Sequence, residues 1–205
     1  MNVAFVGYRD WVLKIFDNLL EQVELQITDI DKANVVLYYG WSWKIPKEIY
    51  SKKLCLILHP SPLPKYRGGS PLQHQIIAGE KQSAVTICKV VDRLDTGDIY
   101  SQTPFSLEGT LDEIFERIVK IGTRDTIQIL HSIENNTIKT YKQIDSKATT
   151  FKRRKPIESE LKLKDFKTKS AKELYNFIRA LADPYPNAFI KCKDGKKLYF
   201  TGSHL

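Results

Sequence analysis

Leu56 to His74 reads LILHPSPLPKYRGGSPLQH, and this stretch decides the fold. The apolar run ends on His59, and the prolines at 60, 62 and 64 then fix φ and remove backbone donors, which excludes a helix or a central strand there. A buried strand that stops at a histidine and opens into a stiff, extended loop is expected at the carboxyl edge of an α/β sheet, where ligands bind. The following SPLQHQIIAG predicts a helix with Ser70 as N-cap, Pro71 in its first turn and Gly79 at its end.

Working outward, NVAFVG reads as a buried strand ended by Gly7, and DWVLKIFDNLL has the three- and four-residue apolar spacing of an amphipathic helix. ANVVLYYGW is a second strand, KIPKEIY a turn into a short helix, and KLCLILH a third strand. AVTICKVVD predicts a further strand, LDTGDIY a turn into another, and the run from Thr110 to Ile133 a long amphipathic helix capped by Thr110. A loop-rich basic segment, the helix SAKELYNFIRALAD stopped by PYPNAF, and two strands joined by KDGK complete the chain. Strands alternating with helices predict an α/β fold, a Rossmann-like, mostly parallel sheet flanked by helices, with a small C-terminal helix and β-hairpin. We divide it into residues 1–140 and a C-terminal extension, 141–205.

The 205 residues suffice for a sizeable core, and 42% hydrophobic and 27% charged residues are ordinary for a globular protein. Cys55, Cys88 and Cys192 are far apart and odd in number, which suggests reduced core residues and neither disulfides nor a metal site. Arg9 and Asp10 interrupt the apolar N-terminus, no cleavage signal follows, and no membrane-length apolar run exists, so the expected location is the cytoplasm. Of the formal charge of +8, a local excess of seven falls between Tyr141 and Lys172, with eleven Lys or Arg against four Asp or Glu. An anionic ligand is expected near it, although a surplus of lysine also serves as a solvated surface.

A histidine at a strand end can simply pack, and an aspartate in DTGD can simply form a turn. Together, HPSPLPKYRGGSP, a helix, a strand and then LDTGDIY resemble the 10-formyltetrahydrofolate-dependent formyltransferase family, with a separation of 36 positions from His59 to Asp95. GWSWKIPKEIY resembles that family's turn into IIPKE, and KRRKPIESEL with IRALADPYPNAF resembles the C-terminal signature of its sugar-nucleotide N-formyltransferases.

The resemblance implies that residues 1–140 are the catalytic domain and 141–205 an extension contributing to acceptor binding or dimerisation, with His59 and Asp95 as the catalytic pair. A neutral amine attacks the formyl carbon on N10 of the folate, a protonated His59 stabilises the oxyanion and helps the folate nitrogen leave, and Asp95 supports that charge and accepts the amine proton. The folate, a co-substrate with no metal, would contact Lys44, Ile45, Pro46, Val91, Arg93, Leu94 and Asp95. The acceptor would contact Tyr66, Arg67, Gly68, Arg153, Arg154, Tyr185 and Phe189, arginines suiting a pyrophosphate and aromatics a base or sugar. Ile45 and Val91 could equally be core, and Arg153 and Arg154 solvated. The acceptor it implies first is a nucleotide-linked amino sugar, such as a dTDP-4-amino-4,6-dideoxyhexose, for surface polysaccharide synthesis, in a homodimer that needs neither nucleic acid nor membrane.

One position departs from the family. Asn is usual two residues before the histidine, and this chain has Ile57. That change keeps open a formyl-folate hydrolase or a non-catalytic folate- or nucleotide-binding module. Among enzymes, the positive charge favours a methionyl-tRNA formyltransferase-like activity as the alternative, against which stands a chain short for that enzyme's two domains. Glycinamide ribonucleotide formyltransferase is disfavoured because RRKP and PYPNAF are not part of its usual pattern.

Overall fold

The computed structural model describes residues 1–205. Its centre is a six-stranded sheet in the order β2-β1-β3-β4-β6-β7, built from β1 (Asn2–Val6), β2 (Gln26–Ile27), β3 (Val35–Tyr39), β4 (Leu54–His59), β6 (Gln82–Lys89) and β7 (Ile99–Ser106). The pairs β2/β1, β1/β3 and β3/β4 are parallel, while β4/β6 and β6/β7 are antiparallel, so β6 alone runs against the rest. The expected mostly parallel sheet is therefore present, with one reversed strand.

Helices α1 (Asp10–Gln22) and α4 (Leu111–Glu134) cover one face of the sheet. Their apolar stripes meet Leu56, Leu58 and Leu37 in a cluster of 24 buried residues, the largest core of the chain. At Gly122 of α4 a β-carbon would stand 2.8 Å from Leu58 and 2.9 Å from Ile15, so the glycine brings helix and sheet together. Tyr39 is fully buried, and its hydroxyl lies 2.8 Å from Thr126 Oγ1. Because Thr126 donates to Gly122 O, the tyrosine must be the donor to Thr126. Thr110 caps α4 with a reciprocal contact from Glu113, as its position predicts.

The opposite face carries a smaller cluster of Ala4, Val36, Tyr38, Ile45, Cys55 and Val90, beside the short α2 (Lys47–Tyr50). Alternation along β4 puts Leu56 and Leu58 on the α1/α4 face and Cys55, Ile57 and His59 on the other. This parity aims His59 and Ile57 at the same space.

Beyond α4 the chain returns over the sheet edge rather than leaving it. Residues Tyr141 and Ile99 exchange backbone hydrogen bonds of 2.9 and 3.1 Å, and β8 (Thr150–Phe151) pairs in parallel with β5 (Arg67–Gly68) in the proline loop. Helix α3 (Pro71–Ile77) follows that loop. The terminal part holds α5 (Asp165–Thr168), α6 (Ala171–Arg179) and the hairpin of β9 (Ala188–Lys191) with β10 (Lys197–Phe200), the last as expected from KDGK. α6 packs against α3.

Two local expectations need correction. Ser70 precedes α3, but at φ 55° its side chain gives no cap and instead accepts from the Arg154 backbone N–H at 3.1 Å. Cys192 is exposed just after β9, whereas Cys55 and Cys88 are buried, so only two of the three cysteines are core residues. Burial pushes the Cys55 thiol up to about 11. No helix is long and apolar enough to cross a membrane.

Candidate active site

The prolines leave the loop after β4 short of backbone donors, and side chains satisfy its carbonyls. Thr86 donates to Ser61 O at 2.6 Å, Gln102 to Leu63 O at 2.9 Å, and Gln75 to Pro60 O at 2.9 Å. Ser83 in turn donates to Gln75 Oε1 at 2.7 Å. Thr86, Gln75 and Ser83 are all buried, so this network holds the loop against the sheet.

The loop and the turn after β6 bring His59 and Asp95 together, both almost fully buried. His59 Nε2 lies 2.9 Å from Tyr66 O. A carbonyl only accepts, so Nε2 carries the hydrogen and this contact fixes the ring. Nδ1 faces Asp95 Oδ2 at 3.6 Å, longer than a hydrogen bond, which leaves Nδ1 able to share a hydrogen with a third atom. Asp95 Oδ2 accepts the Gly68 N–H at 2.7 Å, and Oδ1 has no protein partner.

Tyr66 and Asp95 hold φ of 59° and 54°, unusual for residues with a side chain. With Ser70, they make three of the four such residues in the chain, all around His59, a concentration typical of functional sites. The turn bearing Asp95 closes on β6 at Gly97, where a β-carbon would lie 1.8 Å from Lys89 O. We therefore expect Gly97→Ala to cost about 3 kcal/mol and to lower Tm by about 6–12 °C; an unaltered melting curve would show that the turn can relax.

His59 and Asp95 open into a cavity of about 900 Å³, with Ile45, Ile57, Val90 and Val91 as apolar wall and Trp41 and Trp43 on one side. The Trp41 indole N–H and Arg154 Nε are buried without hydrogen-bond partners. A slightly larger hollow of about 940 Å³ lies between α1 and α4, but neither His59 nor Asp95 lines it, and chemistry rather than size selects the site.

Of the residues expected to hold folate, Lys44, Ile45, Val91, Leu94 and Asp95 line this cavity. Pro46 precedes α2 at the surface, and Arg93 points outward to Asp145 at 3.4 Å, so neither faces it. Of the acceptor set, Gly68, Arg153, Arg154 and Tyr185 line the cavity. Tyr66 contributes its carbonyl to His59, but its ring stacks on Phe151 and its hydroxyl donates to Glu80 at 3.0 Å. Burial, helped by Glu80, pushes that hydroxyl up to about 12. Arg67 is 3% exposed and bound to Gln143 and Asp145, outside the cavity. Phe189 is buried in β9 against Tyr199, also outside. Arg67 and Phe189 are thus structural in this geometry, because strand alternation and an internal ion pair turn them from the opening.

Arg154 is half-buried, donates to Glu158 O, and lies over the Phe177 ring, whereas Arg153 is exposed. Burial holds the Arg154 guanidinium below its ordinary value. The glycine pair at 68–69 creates this arrangement: a β-carbon at Gly69 would meet Arg153 Cα at 2.4 Å. The sequence reading missed Arg9, which lines the same cavity after β1. Arg9, Arg153 and Tyr185 line the same cavity, and burial pushes the Tyr185 hydroxyl up to about 12, with Arg9 and Arg153 acting in the opposite direction. Gln143 was also missed, since a lone glutamine in a basic loop carries no local signal.

Residues 19–130 match the family described as Formyl transferase, and residues 156–205 match Formyl transferase, C-terminal domain. Methionyl-tRNA formyltransferase of Lachnospira eligens is 36% identical over 170 residues, covering 81% of this chain and 52% of that protein. The chain spans about half the length of the curated relatives it matches. Among solved structures, methionyl-tRNA formyltransferase from Clostridium thermocellum gives a TM-score of 0.80 at 31% identity, covering 98% of this chain and 97% of that one. A sugar N-formyltransferase from Shewanella sp gives a TM-score of 0.80 at 17% identity, covering 100% and 98%, and shares the fold.

Proposed function

The chain belongs to the formyl transferase family, and on that premise we propose that it moves a formyl group from 10-formyltetrahydrofolate to a primary amine, the acceptor being an aminoacyl-tRNA of the methionyl class. The observation that supports the transfer is that His59 and Asp95 line one cavity with His59 Nδ1 3.6 Å from Asp95 Oδ2. The apolar wall and the orphaned Trp41 N–H suit a flat heterocycle with polar edges, so the residues present fit a folate. When bound, the folate supplies an activated formyl group.

The chain's own part is to hold and move protons. Tyr66 O fixes the His59 ring, Nδ1 donates toward the formyl oxygen as negative charge develops there, and Asp95 balances the imidazolium. Asp95 Oδ1 accepts the proton that the attacking amine must lose, His59 Nδ1 gives its proton to the folate nitrogen as the bond to the formyl carbon breaks, and both side chains are shielded from bulk water.

The acceptor reading reverses the order of preference drawn from the sequence. Chain length had counted against a methionyl-tRNA formyltransferase, but the Clostridium thermocellum chain bearing that name is 97% covered by this one. The sugar enzyme's likeness, at 17% identity, supports the fold alone. A nucleotide-linked amino sugar stays as the second reading because Arg9 and Arg153 beside Tyr185 suit its pyrophosphate as well as a tRNA phosphate.

The deciding assay incubates the chain with 10-formyltetrahydrofolate and either methionyl-tRNA or a panel of nucleotide-linked amino sugars, and follows the mass gain of one formyl group. Product on methionyl-tRNA is expected; product on a sugar alone would reassign the acceptor, and none on either would sink the transfer. Arg153→Met is expected to raise the acceptor KM with kcat little changed, and raising salt should weaken the wild-type acceptor more steeply than the variant, since phosphate contacts release counterions. Equal salt slopes would place Arg153 on the solvated surface.

A further inference from the structure

The segment that returns after α4 touches both catalytic loops, and two of its side chains join them: Asp145, which pairs with Arg67 and Arg93, and Gln143. Gln143 Nε2 donates to Asp95 O at 2.9 Å and to Gly97 O at 2.8 Å, while its Oε1 accepts from Arg67 Nε at 3.1 Å and Nη2 at 2.8 Å. Two donor hydrogens and two acceptor positions are the whole capacity of the amide, and all are used. Arg67 is locked in turn by Asp145 Oδ1 at 2.8 Å, and its neighbour Gly68 donates to Asp95 Oδ2. The ring of contacts therefore runs from the Asp95 backbone through Gln143 and Arg67 to Gly68 and back to the Asp95 carboxylate.

The same segment is anchored on both sides of Gln143. Tyr141 bridges Ile99, Tyr66 N donates to Thr149 Oγ1 at 2.8 Å, and Arg67 N donates to Thr149 O at 2.9 Å. These bonds attach the strap to each loop; the loops also meet where Gly68 N–H reaches Asp95 Oδ2 and through Asp145, which pairs with Arg67 and Arg93, while Gln143 alone among the side chains holds both the Asp95 and the Gly97 carbonyl. Asp95 needs that support because its φ of 54° is disfavoured for a residue with a β-carbon.

We propose that Gln143 is a positioning residue, which sets the Asp95 carboxylate against His59 by tying the Asp95 turn to Arg67 of the proline loop. This rests on the transfer reading for its kinetic consequence but not for its structural one. Without the two amide donors the Asp95 turn shifts, and an offset of about 1 Å between reacting groups can cost about 10²-fold in rate.

The test uses Gln143→Met, which removes all four bonds, and Gln143→Glu, which keeps an acceptor for Arg67 and sets oxygen against the Asp95 and Gly97 carbonyls. Both should lower kcat about 10²-fold, with KM for folate and acceptor unchanged. Independently of turnover, the Gly68 amide proton, now in a charge-assisted bond to Asp95, should move upfield in the NMR spectrum of each free variant, as in Asp95→Ala. If Gln143→Met does not fold, Gln143→Glu carries the test. A lower Tm with kcat and the Gly68 resonance unmoved would reduce Gln143 to a brace and overturn the proposal. Absence of formyl transfer by the wild-type chain would overturn the transfer reading, and the Gly68 resonance would still decide the positioning.

Discussion

His59→Asn and Asp95→Asn should each reduce single-turnover formyl transfer by about 10²–10⁴-fold, the usual weight of a general acid or base. Asp95→Asn is the sharper of the two. The asparagine oxygen can still accept the Gly68 N–H, so the turn survives, while the charge facing His59 Nδ1 and the acceptor for the amine proton both disappear. His59→Asn removes the Nδ1 donor and leaves Tyr66 O without its ring partner. Because Ile45, Val91, Arg153 and Tyr185 are untouched, affinities for folate and acceptor should stay close to wild type in a calorimetric titration. Rates equal to wild type in either variant would remove that residue from the chemistry, and a parallel loss of binding would make it part of the scaffold.

The pair was assigned by resemblance to the formyltransferase family, each signal being weak alone; what the residues themselves made legible is that one ends a strand and the other follows one, because apolar runs mark those strands. His59 ends an apolar run, and Asp95 sits in a glycine-containing turn between two strands. The sheet, α1, α4 and the terminal hairpin were legible for the same reason, since periodicity fixes them over many residues. β5 and β8 have two residues each, too short for any period, and their pairing is what brings Arg153 and Arg154 to the cavity. Arg67 invited a reading as a ligand from its place beside the histidine loop. Its partners, Gln143 and Asp145, lie 76 and 78 positions further on, a separation over which no local pattern speaks. The acceptor was ranked from the resemblance of KRRKPIESEL and IRALADPYPNAF to sugar-nucleotide enzymes and from chain length, against the charge, and none of these resolves one phosphate-bearing amine from another.

Ile57→Asn should raise kcat rather than lower it. Ile57 shares its face of β4 with His59, stands between Tyr38 of β3 and Cys88 of β6, and lines the cavity. An asparagine there would aim an amide N–H₂ into the space that His59 faces, where family resemblance places a donor. One donor to a developing oxyanion is worth about 2.7–4 kcal/mol, or about 10²–10³ in rate. Its cost falls on stability. Ile57 packs against Leu63, Cys88 and Ile99 on one side and the Val36 and Tyr38 cluster on the other, so an amide unpaired in the free protein should cost about 1–3 kcal/mol. The expected signature is opposite movement of kcat and Tm in one variant. If kcat does not rise, a group already present supplies the missing donor, and the buried, unpartnered Trp41 N–H in the same apolar cluster is the one to remove next. A Trp41→Phe chain that then loses turnover would assign the role to the indole, whereas a neutral result in both variants would leave His59 Nδ1 as the sole hydrogen donor to the formyl oxygen.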